Sequence, residues 1–578
     1  MKKIFSYLKK YKWKMTLGLS LKMIGTFAEL FLPLIMAHMI DNIAPTKNTW
    51  QLIIWSVVML LCAVIAWLFN VLANRMASKV ARNTTERLRD DLFAKTLSLS
   101  ARQIDEVSLP SLVSRLSSDT YNVHNMIGMM QRLGVRAPIL LIGGIALTFS
   151  VDTTLALILL FTVPFLTLIV IFISAKGIKL FTNLQKSSDS MVRKVRDDYT
   201  GIRVIKALSK IDYESDSFKT INDTVVKNEI KATLTMGISN PLLNAILNLG
   251  MCAVIFIGAY RVSEGYVKVG DIIAFTSYFT IILNAVISIS RIFVILTRGG
   301  ASAKRISEIL NLDEELTIEQ NNNSYQEEIE DYIYFKNVSL SYNNFKALDN
   351  ISFKLKKNES LGIIGATGSG KSSIISLLLR FYDPDTGTIY LDGKNLKEYD
   401  NKELKNKIGI VFQNDFLMAG TIKENIDFER NLPIKQIVDA SKKAKASTFI
   451  EEHGGLDGKL TVSGANFSGG QKQRLLIARA LASNPELLIL DDSSSALDYK
   501  TDASLRKTLL ENYKNTTIIM IAQRISSVKF ADHILVLDKG KIVGFGSNEE
   551  LMKTCPTYQS IYLSQHEDDL KGGEVYGN

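Results

Sequence analysis

The chain has 578 residues, of which 47% are hydrophobic and 22% charged, and its mean hydropathy is +0.12, too apolar for an ordinary soluble protein of this size. The net charge of +10 does not point to nucleic acid, because Lys and Arg concentrate beside apolar runs, where topology and anionic lipid account for them. Cys62, Cys252 and Cys555 have no metal-ligand spacing and read as packing residues.

Apolar windows long enough to cross a hydrocarbon layer of about 30 Å occur near 15–38, 51–74, 134–151, 153–175, 241–262 and 271–296, which predicts six spans. The basic N-terminus lacks a short apolar core with a small-residue cleavage site, so the first span is expected to stay in the mature protein. Lys2, Lys3, Lys9, Lys10, Lys12 and Lys14 precede the first span, and Arg75, Lys79, Arg82, Arg87, Arg89 and Lys95 follow the second. The positive-inside rule then puts both termini in the cytoplasm of a multi-pass protein of the cell inner or cytoplasmic membrane. Trp13 and Trp50, at opposite ends of the first hairpin, read as interface anchors.

About 60 residues separate the second and third spans and about 65 the fourth and fifth; 30 residues of helix reach about 45 Å. Each connection is therefore expected to be a helical hairpin entering the cytoplasm, with turns near 108–118 and 201–209. In the sixth span Ser277, Asn284, Ser288 and Arg291 recur on one helical face; Asn244 and Asn248 share a face in the fifth, and Lys22 and Glu29 in the first. These stripes are expected either to line a substrate cavity or to join helices through hydrogen bonds.

After the sixth span the hydropathy falls. The membrane region is expected to occupy 1–315, an acidic linker 316–332, an α/β nucleotide-binding domain around a largely parallel sheet 333–565, and a flexible tail 566–578. Gly365, Ala366, Thr367, Gly368, Ser369, Gly370, Lys371 and Ser372, followed by Ser373, fit the phosphate-binding loop G-x-x-x-x-G-K-[ST] between a predicted strand and a predicted helix. Its N–H groups and the helix dipole suit phosphates, Lys371 reaches the β and γ phosphates of ATP, and Ser372 ligates Mg²⁺. Asp491 closes a hydrophobic strand, as a second ligand of the Mg²⁺ shell would.

The phosphate loop, Gln413 in VFQNDF, the FSGGQ run Phe467 to Gln471, the strand ending at Asp491, and the run Ser495, Ala496, Leu497, Asp498 stand in the order of an ATP-binding cassette. With six spans ahead of it, the chain resembles an ABC exporter half-transporter of the type IV fold, close to bacterial multidrug and lipid exporters. The resemblance implies a dimer with two ATP molecules, each between the phosphate loop of one cassette and the signature of the other. It also implies that Tyr342 stacks on adenine, that Gln413 senses Mg²⁺, that Ser468 and Gly470 meet the γ-phosphate across the interface with Gly469 and Gln471 among the nucleotide-binding residues, and that Asp498 links the sites.

Two positions depart from the family pattern: Asp492 stands where the family carries its catalytic glutamate, and Gln523 where it carries the switch histidine. Val462 stands near a position where the family often has a glutamate. A degenerate site on this chain beside an intact signature points to a heterodimer with a non-identical half-transporter that supplies Glu and His. The expected cargo is an amphipathic, multidrug-like or lipid compound. A weakly active homodimer and an ATP-gated, channel-like protein are the alternatives.

Overall fold

The computed structural model describes residues 2–313, 316, 330–342, 345–413, 415–493 and 497–573. They divide into two compact units, Met1–Ser98 with Val107–Leu312, and Leu99–Glu106 with Asp313–Asn578.

The first unit is helical: α1 (Lys2–Lys9), α2 (Lys12–His38), α3 (Thr49–Leu97), then, beyond α4 (Ala101–Val107), α5 (Leu109–Ser114), α6 (Thr120–Val151), α7 (Thr153–Thr200), α8 (Ile202–Ala207), α9 (Ile211–Gly237), α10 (Ser239–Ser263) and α11 (Val269–Leu310). Six segments among the described residues are long and apolar enough to cross a membrane. α3, α7 and α11 have 49, 48 and 42 residues, about 60 to 75 Å at 1.5 Å per residue and so at least twice the hydrocarbon thickness. Glycines set the closest approaches: a Cβ on Gly25 of α2 would lie 3.1 Å from the Asn70 backbone of α3, and one on Gly250 of α10 would lie 2.5 Å from the Phe279 ring of α11. Trp13 and Trp50 are exposed, as are Leu60, Leu61 and Trp67 along α3. The second long connection turns through α8, between Gly201 and Ser209. In the first connection the helix breaks at Ser108, whose φ is +69°, at the start of the expected 108–118, and also earlier, at Ser98.

The second unit contains β1 (Ile333–Tyr342), β2 (Phe345–Leu355), β3 (Ser360–Gly365), β4 (Thr386–Leu391), β5 (Lys394–Asn395), β6 (Ile408–Val411), β7 (Gly420–Thr421), β8 (Lys459–Leu460), β9 (Leu487–Asp491), β10 (Thr517–Ile521), β11 (His533–Asp538) and β12 (Lys541–Gly546). A six-stranded sheet runs β12-β11-β3-β10-β9-β6, parallel except for the edge strand β12. The central strands are buried along their length and read as unbroken apolar runs, as a sheet covered on both faces requires. A second, antiparallel sheet runs β2-β1-β4-β5.

The acidic linker lies largely outside the described residues, which omit 314, 315 and 317–329. The expected loose tail begins inside a helix, Pro556–Gly573. Tyr558 is buried at its start, and Gln565 accepts from the Ile525 N–H and donates to the Gln523 carbonyl, both at 2.8 Å. Those anchors, invisible to a composition window, hold the helix past 566, and residues 574–578 lie outside the described residues.

Lys405, in the short helix Asn401–Lys407, is half-buried over the Phe381 ring and bonded to the Leu379 carbonyl. Burial pulls its ammonium down to about 8. A lysine so depressed costs stability below pH 8 and ceases to do so as pH rises towards 10.5, its unfolded value. Lys405→Met is therefore expected to raise the apparent melting temperature in detergent at pH 7, and the gain should shrink between pH 8 and 10.5. A gain constant with pH would assign the effect to packing alone.

Candidate functional site

Parallel strands bring their C-terminal ends to one edge of the sheet, where α/β proteins bind ligands. β3 ends at Gly365 and feeds the phosphate loop, β9 ends at Asp491, and Gln523 and Gln413 follow two residues after β10 and β6. A cavity of about 270 Å³ opens there, lined by Tyr342, Phe345, Ala347, Thr367, Gly368, Gly370, Lys371, Ser372, Ser373, Gln413, Asp491, Asp492, Ile521 and Gln523.

Backbone geometry explains the glycines. Gly368 and Gly370 have φ of +80° and +103°, a region open to glycine, and a Cβ on Gly370 would lie 2.7 Å from the Ala347 carbonyl. A Cβ on Gly365 would lie 2.2 Å from the Leu537 carbonyl of β11. The loop delivers the chain into α12 (Lys371–Leu378), whose first N–H groups have no partner within the helix. Lys371 Nζ donates to the Gly365 and Ala366 carbonyls, both at 2.8 Å, so the cation folds over its own loop. Ser369 is buried and its Oγ has no hydrogen-bond partner among the described residues.

Three ionisable groups share the site. Burial, then the neighbouring Asp492, pushes the Asp491 carboxyl above the ordinary aspartate range, against a bond from the Ser372 hydroxyl and the charge of Lys371. Burial also raises Asp492, against Gln413, Lys371 and Arg524, and lowers Lys371, against both acids. Asp492 adopts φ of +47°, and its N–H donates to the Ile521 carbonyl at 2.9 Å, which turns the chain sharply off β9. Its Oδ2 accepts from Gln413 Nε2 and from Gln523 Nε2, each at 3.3 Å. Asp492 and Gln523 are thus in contact with each other.

The signature lies apart from this cavity: none of Ser468, Gly469, Gly470 and Gln471 lines it. Ser468 caps the helix Gly469–Leu481 in a reciprocal box, its Oγ accepting from the Gln471 N–H at 3.3 Å while Gln471 Oε1 accepts from the Ser468 N–H at 2.8 Å. Phe467 is buried against Phe449 and His453, leaving Ser468 and Gly469 in solvent. Val462 is exposed just ahead of them. Asp498 caps the next helix, Tyr499–Asn512, through the Thr501 N–H at 2.9 Å, and these backbone bonds hold its carboxyl below the usual range. Ser495 and Ala496 lie outside the described residues.

At one end of the cavity, Tyr342 and Phe345 are cross-strand partners in β1 and β2. Phe345 escaped sequence reasoning, because its only signal was an exposed aromatic beside a hairpin turn. Tyr342 also meets Tyr382 edge-on, centroids 5.1 Å apart, and the Tyr382 hydroxyl donates to Asp105 of α4, which belongs to this unit. Arg102 of α4 pairs with Asp385 at 3.3 Å, and Asp385 accepts from the Ser341 N–H at 2.7 Å. α4 is thereby tied to the strand that carries Tyr342.

The polar residues expected in a substrate cavity sit elsewhere, in the helical unit. Asn244, Asn248, Asn284 and Arg291 are exposed, and Ser288 donates to its own helix at the Asn284 carbonyl, 2.7 Å. A cavity of about 500 Å³ on this unit is lined by a neighbouring face of α11, including Val286, Ile289, Ser290, Phe293 and Thr297, with Leu141 and residues of α7. The asparagines and Arg291 do not line it.

Residues 15–286 match the family model for the ABC transporter transmembrane region, and residues 348–495 that for the ABC transporter. The chain is 35% identical over 569 residues to the ABC transporter ATP-binding protein YfiB of Bacillus subtilis (strain 168), covering 98% of both chains. It is 30% identical over 573 residues to the ABC transporter ATP-binding protein Rv1273c of Mycobacterium tuberculosis (strain ATCC 25618 / H37Rv), again with 98% of both covered. A solved structure, a bacterial Atm1-family ABC exporter with ATP bound, superposes with a TM-score of 0.79 over 96% of this chain and 98% of that one, at 23% identity.

Stacking on a base contributes about 1–3 kcal/mol per aromatic. Tyr342→Ala is expected to weaken binding of a fluorescent ATP analogue about tenfold, and Phe345→Ala to weaken it measurably if both rings hold the base. An unchanged affinity in Tyr342→Ala would remove that ring from the site.

Proposed function

The chain belongs to the ABC transporter family, as an exporter half-transporter with a transmembrane and an ATPase domain, and from that premise we propose that it is one half of a heterodimer with two unequal ATP sites. Each site forms between the phosphate loop of one subunit and the signature of the other.

In the site on this chain's own loop, the N–H groups around Gly368 and Gly370 and the N-terminus of α12 cradle the phosphates. Lys371 leaves its two carbonyls for the β and γ phosphates, and Tyr342 with Phe345 takes the adenine. A hydroxyl, a carboxylate and an amide carbonyl suit a hard cation, so Ser372, Asp491 and Gln413 would hold Mg²⁺, which offsets the charge growing on the transferring phosphoryl group. The buried, orphaned Ser369 hydroxyl supports a polar occupant.

The observation that carries the proposal is the setting of Asp492, whose Oδ2 takes both glutamine amides. A base must lie within hydrogen-bond reach of the water it deprotonates. Removing one methylene withdraws the carboxylate by about 1 Å, which costs on the order of a hundredfold in rate. Gln523 brings a neutral amide where a histidine would bring a cation, so electrostatic help at the γ-phosphate is lost too. The opposite site receives this chain's capped signature, Ser468 to Gln471, and fires on the partner's base. Asp498 stands beside that junction and links the two.

A second subunit is supported by the tip of the α7 to α9 hairpin, where Tyr199, Val204, Leu208, Ile211 and Tyr213 are all exposed, more apolar surface than a lone chain leaves in water. Both termini lie in the cytoplasm of the cell membrane. The cargo is amphipathic, and Asn244, Asn248, Asn284, Ser288 and Arg291 line its route beside the apolar cavity.

The decisive experiment is the Mg²⁺-dependent ATPase rate of this chain alone in lipid, beside the same chain co-expressed with other half-transporters. Negligible turnover alone, rescued by one partner with Glu and His, is expected; robust turnover alone would make the protein a homodimer. Asp492→Glu combined with Gln523→His should raise the turnover of the isolated chain by about a hundredfold, and no increase would show that the rate is limited elsewhere.

A further inference from the structure

The facing sides of α2, α3 and α6 hold more charge than ATP chemistry or the bonds between these helices account for. Lys22 of α2 is 4% exposed, and its Nζ donates to Asn74 Oδ1 of α3 at 3.1 Å. One turn away on α3, Asn70 Oδ1 is buried with no hydrogen-bond partner among the described residues. Glu29, two turns along α2, takes Arg136 of α6 in a two-pronged pair at 2.6 and 3.2 Å. Arg132, one turn before Arg136, reaches only its own helix, donating to the Gly128 carbonyl at 3.2 Å.

The charges do not cancel. Arg136, Glu29 and Arg132 all act on the Lys22 charge, so three cations face one carboxylate. Lys22 and Arg136 both stand roughly 23 Å along their helices from the ends at His38 and Val151, at 1.5 Å per residue. In a hydrocarbon layer of about 30 Å that is the half next to the cytoplasm. Uncompensated charge at that depth is costly and is normally paired or functional, and the one carboxylate, Glu29, spends its hydrogen bonds on Arg136. Half-exposed guanidinium groups on α6 leave the cluster open to a ligand.

We propose that Lys22, Arg132 and Arg136 form a binding site for the oxyanion head, phosphate or carboxylate, of an amphiphile whose chain lies in the bilayer, with Glu29 as the built-in competitor for Arg136. Arginine suits this task through its fork of donors, and lysine as a compact charge beside it. The Asn70 acceptor is free for a hydroxyl on the same headgroup. The inference rests on the exporter reading only for the cytoplasmic side of the site and for its use as a place of cargo entry.

The sign of each residue's effect provides the test. Binding of radiolabelled dodecyl phosphate to the purified full-length chain in dodecyl maltoside is measured for wild type, Arg132→Gln and Glu29→Gln. Among the described residues Arg132 makes no bond to another helix, so its loss is expected to spare the fold, which gel filtration and ATP-analogue binding check. Arg132→Gln should weaken binding about tenfold, the worth of one charged hydrogen bond, whereas Glu29→Gln should tighten it by freeing Arg136. Equal affinity in all three proteins, or weakening in both variants alike, overturns the site and leaves a structural network. Competition by phosphatidylglycerol assigns the site to a bilayer lipid, and retention of dodecyl phosphate in its presence assigns it to a separate amphiphile. Neither readout uses turnover or a partner subunit, so a negative result leaves the exporter reading standing, and a failed exporter reading leaves the binding result intact.

Discussion

The nucleotide cavity depends on one constraint: five parallel strands must end on the same edge of a sheet. β3, β10, β9 and β6 pair in register, so the residues just beyond Gly365, Ile521, Asp491 and Val411 are forced into one neighbourhood although the chain visits them far apart. Everything chemical at the site follows from that edge. The lysine, both acids and both glutamines are there because strands end there, and a strand that slipped by one residue would turn its whole inner face outward. Buried apolar runs in β3, β9 and β10 make such a slip costly, so the fold energy of the sheet also fixes the geometry of the site.

Within that edge the local charges are in tension. Burial raises the proton affinity of both aspartates, Asp492 raises that of Asp491 further, and a partly desolvated lysine offsets them only in part. A bound nucleotide with its cation would change all three at once, since phosphates attract Lys371 away from the loop carbonyls and a divalent ion favours both carboxylates ionised. The membrane half carries the same logic in the opposite sign: around Lys22 the surplus is positive, and the low dielectric that makes it costly also strengthens any anion that answers it.

The sequence made the local features readable and left the long-range ones hidden. A phosphate loop is eight consecutive residues, and a capping box spans four, so neither needs a fold to be seen. The six spans follow from length and apolarity alone. Periodicity put Lys22 and Glu29 on one face but could not supply Arg136, which lies 107 positions from Glu29. It likewise placed Ser277, Asn284, Ser288 and Arg291 on a common face of α11, while the apolar cavity opened on a neighbouring face, because which face a helix turns inward is decided by its neighbours. The α-helical tail was missed for a similar reason: Gln565 earns its place through bonds to the loop after β10, a tertiary fact.

That last contact also bears on the setting of Asp492. Gln523 touches Asp492 through its side chain and Gln565 through its carbonyl, and Asp492 in turn takes Gln413, which follows β6. Two loops, after β10 and β6, thus bring neutral amides to one oxygen of the carboxylate that follows β9. An ionised carboxylate has about four acceptor sites, so two bonds on Oδ2 fix its plane without using up its capacity to take a water. On the proposed reading the missing methylene therefore acts through distance: the amides hold a short acid in one orientation, and its reach towards a γ-phosphate is what a glutamate would add.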